Sequence, residues 1–213
     1  MIQHLPAELR KLAEIAHNLW WTWNDDAKKL YCDLDSELWK EVEQNPVLFL
    51  ERINYEKLVA LAHDENFVYK MDAVYSAFKK YIDVEPDHQR PSIAYFSMEY
   101  GLDEVLKIYS GGLGMLAGDY LKEASDSNVD LCAIGLLYRY GYFDQSLSMD
   151  GQQTVNYKAQ NFGQLPIEKV MQPDGKQLLS SPPSIPKAAC CTFPNCIKSS
   201  IIFLVIFDGT ANE

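Results

Sequence analysis

The chain has 213 residues, of which 47% are hydrophobic, so it is long enough to bury the core of one or two domains. Its 30 acidic residues outnumber 19 basic ones and give a formal net charge of -11, which disfavours sequence-independent binding to nucleic acid or to an anionic membrane surface. No apolar run is long enough to cross a bilayer, and the first residues lack the basic and apolar regions of a signal peptide, so we expect a cytoplasmic protein.

Residues 1–85 are predicted to form a helical segment. Apolar residues at intervals of three and four mark one face of a first helix: Leu9, Leu12, Ala16, Leu19 and Trp23. Asp35 is predicted to cap a short helix over 35–43, and Asn45-Pro46 marks a break, because the residue before a proline avoids the helical region. Two further helices are predicted over 55–62 and 66–82.

The aromatic and sulfur-containing residues of this chain favour packing over ligand binding. Trp20 and Trp23 are expected in the core, while Trp21 is left open between the core and a sugar-stacking surface. Cys32 and Cys132 lie in regular apolar stretches and are expected to be small buried thiols. No metal site is predicted, because the remaining cysteines lack a CxxC pair and a nearby histidine: Cys190, Cys191 and Cys196.

After a polar, proline-bounded connection over 86–91, the hydrophobic pattern changes to that of strands. A nearly continuous apolar run over 92–97 is typical of a strand buried on both faces, and a second strand is predicted over 129–137. A helix between them, ending near 127, would complete a βαβ unit with its ligand crevice at the carboxyl ends of the strands. The sequence therefore predicts an α/β fold whose parallel sheet begins within 86–176 and is incomplete in this chain.

Three glycines, Gly111, Gly112 and Gly114, lie where a loop becomes that helix. Glycine allows positive φ and a close approach to a ligand, and the first N–H groups of a helix form a partly positive anion site. These features predict phosphate or sugar-phosphate binding. The alternative is a glycine-rich turn that only packs the helix against the sheet. The helix is expected to bury one apolar side: Leu113, Leu116, Ala117, Tyr120 and Leu121.

Residues 177–213 differ in composition from the rest of the chain. A Ser/Pro-rich stretch over 180–186 precedes the cysteine cluster, and an apolar run over 201–207 has no evident partner strand. We expect an atypical, poorly ordered tail. The alternative is that 201–207 pairs with an open edge of the sheet and completes a small domain.

Six motifs in order resemble the amino-terminal part of bacterial alpha-glucan (glycogen/maltodextrin) phosphorylases, in the variety with an extra helical front segment. The resemblance covers roughly residues 5–176. Its motifs are Asn18-Leu-Trp-Trp-Thr-Trp-Asn24, Ser36-Glu-Leu-Trp-Lys40 with Asn45-Pro46, Tyr95-Phe-Ser-Met-Glu-Tyr-Gly101, the loop and helix from Tyr109 to Asp126, Gly135-Leu-Leu-Tyr-Arg-Tyr-Gly-Tyr-Phe143, and Asp150-Gly-Gln-Gln153.

The resemblance implies two Rossmann-like domains with a cleft between them, the first of which begins here. It implies a glycosyltransferase that cleaves a terminal α-1,4-linked glucose with inorganic phosphate and releases glucose 1-phosphate. Pyridoxal phosphate is the implied cofactor, and its phosphate serves as the proton donor. The implied partners are α-1,4-glucan and inorganic phosphate, and a homo-oligomer of the full-length form is left open.

The motif match assigns phosphate and glucosyl binding to the glycine loop: Gly111, Gly112, Leu113 and Gly114. Glu99, Tyr100 and Arg139 are expected near the cofactor end of the cleft, although Glu99 and Tyr100 fit equally well as a brace for the glycine loop. No catalytic residue is assigned, because the family's cofactor lysine and phosphate-binding basic residues are expected beyond residue 213. We therefore expect this chain alone to be inactive.

Two other functions remain open at this point. One is a glucan synthase-like glycosyltransferase that uses a nucleotide sugar and also places a glycine loop by its donor phosphates. The other is a non-catalytic carbohydrate-binding module. Turnover with phosphate or with a nucleotide sugar, compared with glucan binding without turnover, distinguishes these three functions.

Overall fold

The computed structural model describes residues 5–84, 89–169, 174, 179–180, 188–192 and 202–207. The structure confirms the α/β class, with a helical part followed by parallel strands. In the part of the chain so described, no helix combines the length and apolar character needed to span a membrane.

The helical segment contains more and shorter helices than the sequence predicts. Its α-helices are α1 (Arg10–Ala16), α2 (Asp25–Leu34), α3 (Ser36–Glu41), α4 (Pro46–Arg52), α5 (Tyr55–Ala62) and α6 (Glu65–Ile82), and short 3-10 turns cover Ala7–Leu9 and Leu19–Trp23. The single helix expected through Trp23 is wrong, because the Asn18 side chain accepts a hydrogen bond from the Trp20 N–H and starts a new turn. Asp35 is confirmed as a cap, accepting from the Leu38 N–H at 3.0 Å.

The core of the helical segment is rich in aromatic rings. Trp20 is confirmed as a core residue, and Trp21, which the sequence left open, is 1% exposed. Tyr31 stacks on Trp39 with ring centroids 5.3 Å apart. Trp23 is only half-buried at the margin of this core. Aromatic pairs of this kind add stabilisation beyond the area they bury.

The two cysteines expected to be buried lie nearer the surface. Cys32 is exposed, and the expectation of a buried thiol is wrong there, because Cys32 lies on the outer side of α2 while its neighbour Tyr31 faces the core. Cys132 is half-buried, and burial raises the pKa of its thiol.

The predicted βαβ unit is present as β1 (Ile93–Phe96), α7 (Gly112–Asp126) and β2 (Leu131–Tyr138), and β1 pairs with β2 in parallel. The remaining strands are β3 (Asp144–Leu147), β4 (Gln153–Asn156), β5 (Glu168–Lys169), β6 (Leu179–Ser180), β7 (Ala188–Thr192) and β8 (Ile202–Phe207). The main sheet has the order β1-β2-β8-β7-β5, with β6 paired to β7, while β3 and β4 form a separate hairpin.

The backbone of β8 has two partners, which corrects the view that the apolar run over 201–207 has none. It lies parallel to β2, with Ala133 opposite Ile202 and Tyr138 opposite Phe207, and antiparallel to β7. The described residues thus contain three adjacent parallel strands. The expectation of poor order for 177–213 falls mostly outside the described residues and stays a prediction.

Burial in the βαβ unit differs from expectation in two places. β1 is not buried on both faces, because it is at one end of the described sheet, and Phe96 is 69% exposed. Helix α7 buries the side that carries Ala117, Leu121 and Ala124. Three residues expected on its buried side are instead exposed: Leu113, Leu116 and Tyr120.

The helical segment contacts the rest of the chain through specific polar groups. The Tyr81 hydroxyl at the end of α6 donates to Asp126 Oδ1 at 2.6 Å, at the end of α7. The Asn45 side chain donates to the carbonyl of Gln164 at 2.9 Å, while the oxygen of the same amide caps α4. The first contact joins the ends of α6 and α7, and the second joins the turn before α4 to the 3-10 turn Phe162–Gln164.

Candidate functional site: the glycine loop and its surroundings

The glycine loop begins α7 without a capping side chain. Gly111 is the N-cap residue, and its carbonyl accepts from the Met115 N–H at 3.1 Å. Helices α2 to α6 each begin with an Asn or Asp side chain bonded to a backbone N–H, whereas α7 begins with three small or apolar positions. Because the first N–H groups of a helix lack intrahelical partners, this end of α7 can bind an anion or a sugar oxygen.

Two of the glycines leave the backbone open. A Cβ added at Gly111 or Gly112 would have no atom within 4 Å. The positive φ that glycine allows is not used at Gly111, which is extended at φ -163, and among the described glycines positive φ occurs at Gly151. The loop therefore uses glycine for access to the backbone rather than for a left-handed conformation.

Gly114 serves close packing. A Cβ at this position would lie 2.5 Å from Tyr109 Cβ and 3.1 Å from Glu99 Oε2. The carbonyl of Gly114 accepts from the Gly101 N–H at 2.7 Å, and one turn later a Cβ at Gly118 would lie 2.2 Å from the Gly101 oxygen. Helix α7 thus approaches the segment after β1 at backbone distance, as the packing alternative predicted. The packing role is therefore present at Gly114 and Gly118, while binding at the open positions Gly111 and Gly112 stays a prediction.

Glu99 connects the end of β1 to the glycine loop. Its Oε1 accepts from the Ser110 hydroxyl at 3.0 Å, and its Oε2 accepts from the Ser110 N–H at 3.3 Å. Both carboxylate oxygens therefore bind the residue directly before Gly111. This is the bracing role that the sequence left open for Glu99.

Tyr100 is a structural residue in the same segment. It is 1% exposed, and its hydroxyl donates to the Tyr95 carbonyl at 2.7 Å and lies 3.3 Å from the Ile134 carbonyl. Burial raises the pKa of Tyr100 to about 12. The side chain thus joins β1 to the middle of β2.

Gln160 positions the loop and was not identified from the sequence. Its amide group donates to the Tyr138 carbonyl at 2.7 Å and to the Lys107 carbonyl at 3.3 Å, and its oxygen accepts from the Lys107 N–H at 3.2 Å. Its own N–H donates to the carbonyl of Arg139, whose side chain is exposed. A residue 53 positions from its main contact gives no local sequence signal.

A small cavity of about 170 Å³ lies between these elements. It is lined by Glu99, by the loop residues Lys107, Tyr109 and Ser110, and by Tyr138 and Tyr142 after β2, among others. The arrangement provides backbone N–H groups, hydroxyls and one carboxylate, which suits binding. Glu99 and Tyr100 form hydrogen bonds with protein groups, and the expectation that they and Arg139 lie near pyridoxal phosphate stays a prediction.

These features define an α/β protein in which an uncapped, glycine-lined helix N-terminus opens at the carboxyl ends of parallel strands. Comparison with known proteins agrees with the resemblance found in the sequence. Residues 5–106 match the family described as "Protein of unknown function (DUF3417)". Over 187 residues, 84% of its length, the chain is 41% identical to maltodextrin phosphorylase of Thermococcus litoralis.

Two further relatives carry a similar name. The chain is 42% identical to glycogen phosphorylase of Aquifex aeolicus over 172 residues, and 38% identical to glycogen phosphorylase of Mycobacterium tuberculosis over 188 residues. It is thus a relative of alpha-glucan phosphorylases over about four-fifths of its length, and the predicted resemblance is confirmed. The chain spans only 22% to 24% of the length of these relatives.

Proposed function

We propose that this chain forms one wall of the active site of an alpha-glucan phosphorylase. The complete enzyme would transfer a terminal α-1,4-linked glucosyl unit of a glucan to inorganic phosphate and release glucose 1-phosphate. The observation that carries the proposal is the open backbone at Gly111 and Gly112, which begins an uncapped helix within the region shared with the phosphorylases.

The loop would act by binding. The N–H groups at Gly112, Leu113 and Gly114 belong to the first turn of α7, where the helix dipole adds a partial positive charge. Such groups stabilise a phosphate or the developing charge on a glucosyl oxygen, and their fixed orientation avoids reorganisation during the reaction. Leu113, 56% exposed, would provide an apolar surface beside them.

Glu99 and Gln160 would keep this loop in place. Glu99 binds Ser110 from one side, and Gln160 holds Lys107 against the end of β2. The two contacts fix the stretch between 107 and 110, from which the glycine loop continues. A binding loop held at both sides needs less ordering when substrate arrives.

Several further properties belong to the same proposal. Pyridoxal phosphate would be held mainly by parts of the enzyme outside this chain and would supply the proton donor there. The Rossmann-like completion of the sheet, a cytoplasmic location and assembly of the full-length enzyme into a homo-oligomer also belong to the proposal. Since the chain spans about a fifth to a quarter of its relatives, we expect it to lack phosphorolysis by itself.

A chimeric enzyme tests the proposal. Residues 1–176 would replace the matching region of the Thermococcus litoralis maltodextrin phosphorylase, and release of glucose 1-phosphate from glucan and phosphate would be measured. Gly112→Ala should lower turnover by about a hundredfold, because the added methyl group would keep the ligand away from the N–H groups, an effect comparable to loss of one oriented donor. Gly163→Ala is the matched control, because its Cβ would meet only Asn161 Oδ1, at 3.5 Å.

Turnover of a nucleotide sugar by the chimera, without phosphorolysis, would instead favour the synthase-like alternative. A folded chimera that binds glucan but turns over neither donor would favour a carbohydrate-binding module. Equal turnover of wild type and Gly112→Ala would show that the glycine loop has only a packing role.

A further inference from the structure

A groove of about 840 Å³ separates the turn between α3 and α4 from the loop that precedes α7. The helical segment contributes Glu43, Gln44 and Arg52 to its walls, the loop before α7 contributes Lys107 and Tyr109, and Tyr142 follows β2. The volume falls in the range of roughly 300–1,000 Å³ that is usual for ligand pockets. Sequence reasoning gave no role to this turn beyond a helix break.

The charges in the groove are balanced. Three basic residues and three acidic residues line it: Lys40, Arg52 and Lys107, and Glu41, Glu43 and Glu104. Arg52 Nη1 lies 3.1 Å from Glu41 Oε1, and Lys107 Nζ lies 3.9 Å from Glu43 Oε2. A groove of paired charges presents many hydrogen-bond donors and acceptors without a net field, which favours a neutral ligand rich in hydroxyl groups.

Tyr142 provides an aromatic face at the same groove. Its side chain is 62% exposed, and its ring stacks on Phe143 with centroids 4.5 Å apart. Phe143 in turn contacts Tyr157 at 5.8 Å, so the ring of Tyr142 is supported from behind. A rigid aromatic ring with a polar tip, placed beside paired charges, suits the apolar face and the hydroxyl edge of a sugar ring.

The groove leads to the glycine loop. Four residues line both the groove and the small cavity beside Glu99: Lys107, Tyr109, Ser110 and Tyr142. Ser110 is also the residue directly before Gly111. A ligand that fills the groove would therefore reach the residue that precedes the glycine loop.

The turn that forms one wall holds two consecutive non-glycine residues in the left-handed region, Glu43 at φ 52 and Gln44 at φ 59. Left-handed backbone is unfavourable for residues with a side chain and is often retained where the side chain has a function. The Gln44 N–H donates to the Trp39 carbonyl at 3.0 Å, which ends α3. Glycine would end the helix at lower cost.

From these observations we propose that the groove is a binding site for a segment of α-1,4-glucan and directs its end toward the glycine loop. The proposal rests on the proposed function for its choice of glucan. The helical segment lies in the region that matches the family described as of unknown function. The proposal gives this segment a role in binding substrate at a distance from the reacting bond.

Direct binding to the 213-residue chain tests the site without requiring turnover. Calorimetry with maltoheptaose measures the affinity of wild type, Tyr142→Ala and Gln44→Gly, with the β-1,4-linked cellohexaose as a specificity probe. We expect Tyr142→Ala to weaken maltoheptaose binding at least fivefold, and the matched control Tyr69→Ala, which removes a 76% exposed tyrosine from α6 outside the groove, to leave it unchanged.

Gln44→Gly separates binding from folding. Relief of the left-handed strain should raise the melting temperature, while loss of the side chain should weaken maltoheptaose binding. Absence of maltoheptaose binding to the wild type, equal affinity in wild type and both groove variants, or equal affinity for cellohexaose would overturn the proposal. Glucose 1-phosphate release by the chimera is a separate measurement. Calorimetry can therefore contradict glucan binding in the groove without contradicting the proposed activity.

Discussion

Glu99 binds Ser110 through both carboxylate oxygens and so joins the end of β1 to the residue that precedes the glycine loop. The two hydrogen bonds span 11 positions of the chain and lie where the Cβ of an alanine at Gly114 would touch Glu99. The geometry of the loop thus depends on the carboxylate of Glu99 and on the lack of a side chain at Gly114. This relationship leads to the first two predictions.

Glu99→Ala should loosen the glycine loop. We expect the free energy of unfolding to fall by about 1–2 kcal/mol, because two hydrogen bonds to a carboxylate are lost. Hydrogen exchange should accelerate at the amides of 110–114. Glu99→Gln should have a smaller effect, since its amide oxygen still accepts from Ser110. Unchanged exchange in Glu99→Ala would show that the loop is fixed by other contacts.

The glycines of α7 should separate into two groups on substitution by alanine. Gly114→Ala should destabilise the chain by about 1–3 kcal/mol, because its Cβ would lie 2.5 Å from Tyr109 Cβ. Gly112→Ala should leave stability unchanged or slightly higher, since its Cβ meets nothing and alanine favours helix. Denaturant unfolding of both variants checks this. Equal losses would contradict the open position of Gly112.

Tyr100 should make the stability of the chain fall at alkaline pH. Burial raises its pKa in the folded state to about 12, whereas the ordinary value is near 10. Below pH 10 the folded and unfolded chains hold this proton equally, and between pH 10 and 12 the unfolded chain loses it first, so stability decreases. Tyr100→Phe should reduce the slope of unfolding free energy against pH in this range. A slope identical to wild type would refute the assignment.

Tyr81→Phe should weaken the contact between the helical segment and the βαβ unit. The lost hydroxyl donates to Asp126 Oδ1 at 2.6 Å and lies 2.6 Å from Ser125 Oγ. Burial and the hydrogen bond to Asp126 raise the pKa of Tyr81. We expect a loss of about 1–2 kcal/mol in the free energy of unfolding. Tyr69→Phe, on the exposed side of the same helix, serves as the control and should cost nothing measurable.

Limited proteolysis should show how residues 177–213 are attached. From composition we expect rapid trypsin cleavage at Lys187 or Lys198, leaving a stable core. Because β8 pairs with β2 over six residues, the released carboxyl-terminal piece should still co-elute with the core on a sizing column. Full protection of the tail would contradict the first expectation, and separation of the pieces would contradict the second.

The sequence by itself determined the features that depend on neighbouring residues. The cap at Asp35, the helix break at Asn45-Pro46, the βαβ order of strand, glycine loop, helix and strand, and the resemblance to phosphorylases all follow from short-range patterns. Side-chain capping and hydrophobic periodicity act within a few residues, so they can be recognised without a structure.

Only the tertiary structure decided which side of each element is buried and which distant groups meet. The sequence placed Leu113 and Leu116 on the buried side of α7, but both are exposed, because an α-helix that is apolar on several sides gives no unique inward direction. The contact of Gln160 with Lys107 and the groove beside Tyr142 likewise join segments far apart in the chain. Such contacts arise from the packing of whole elements, which local patterns do not encode.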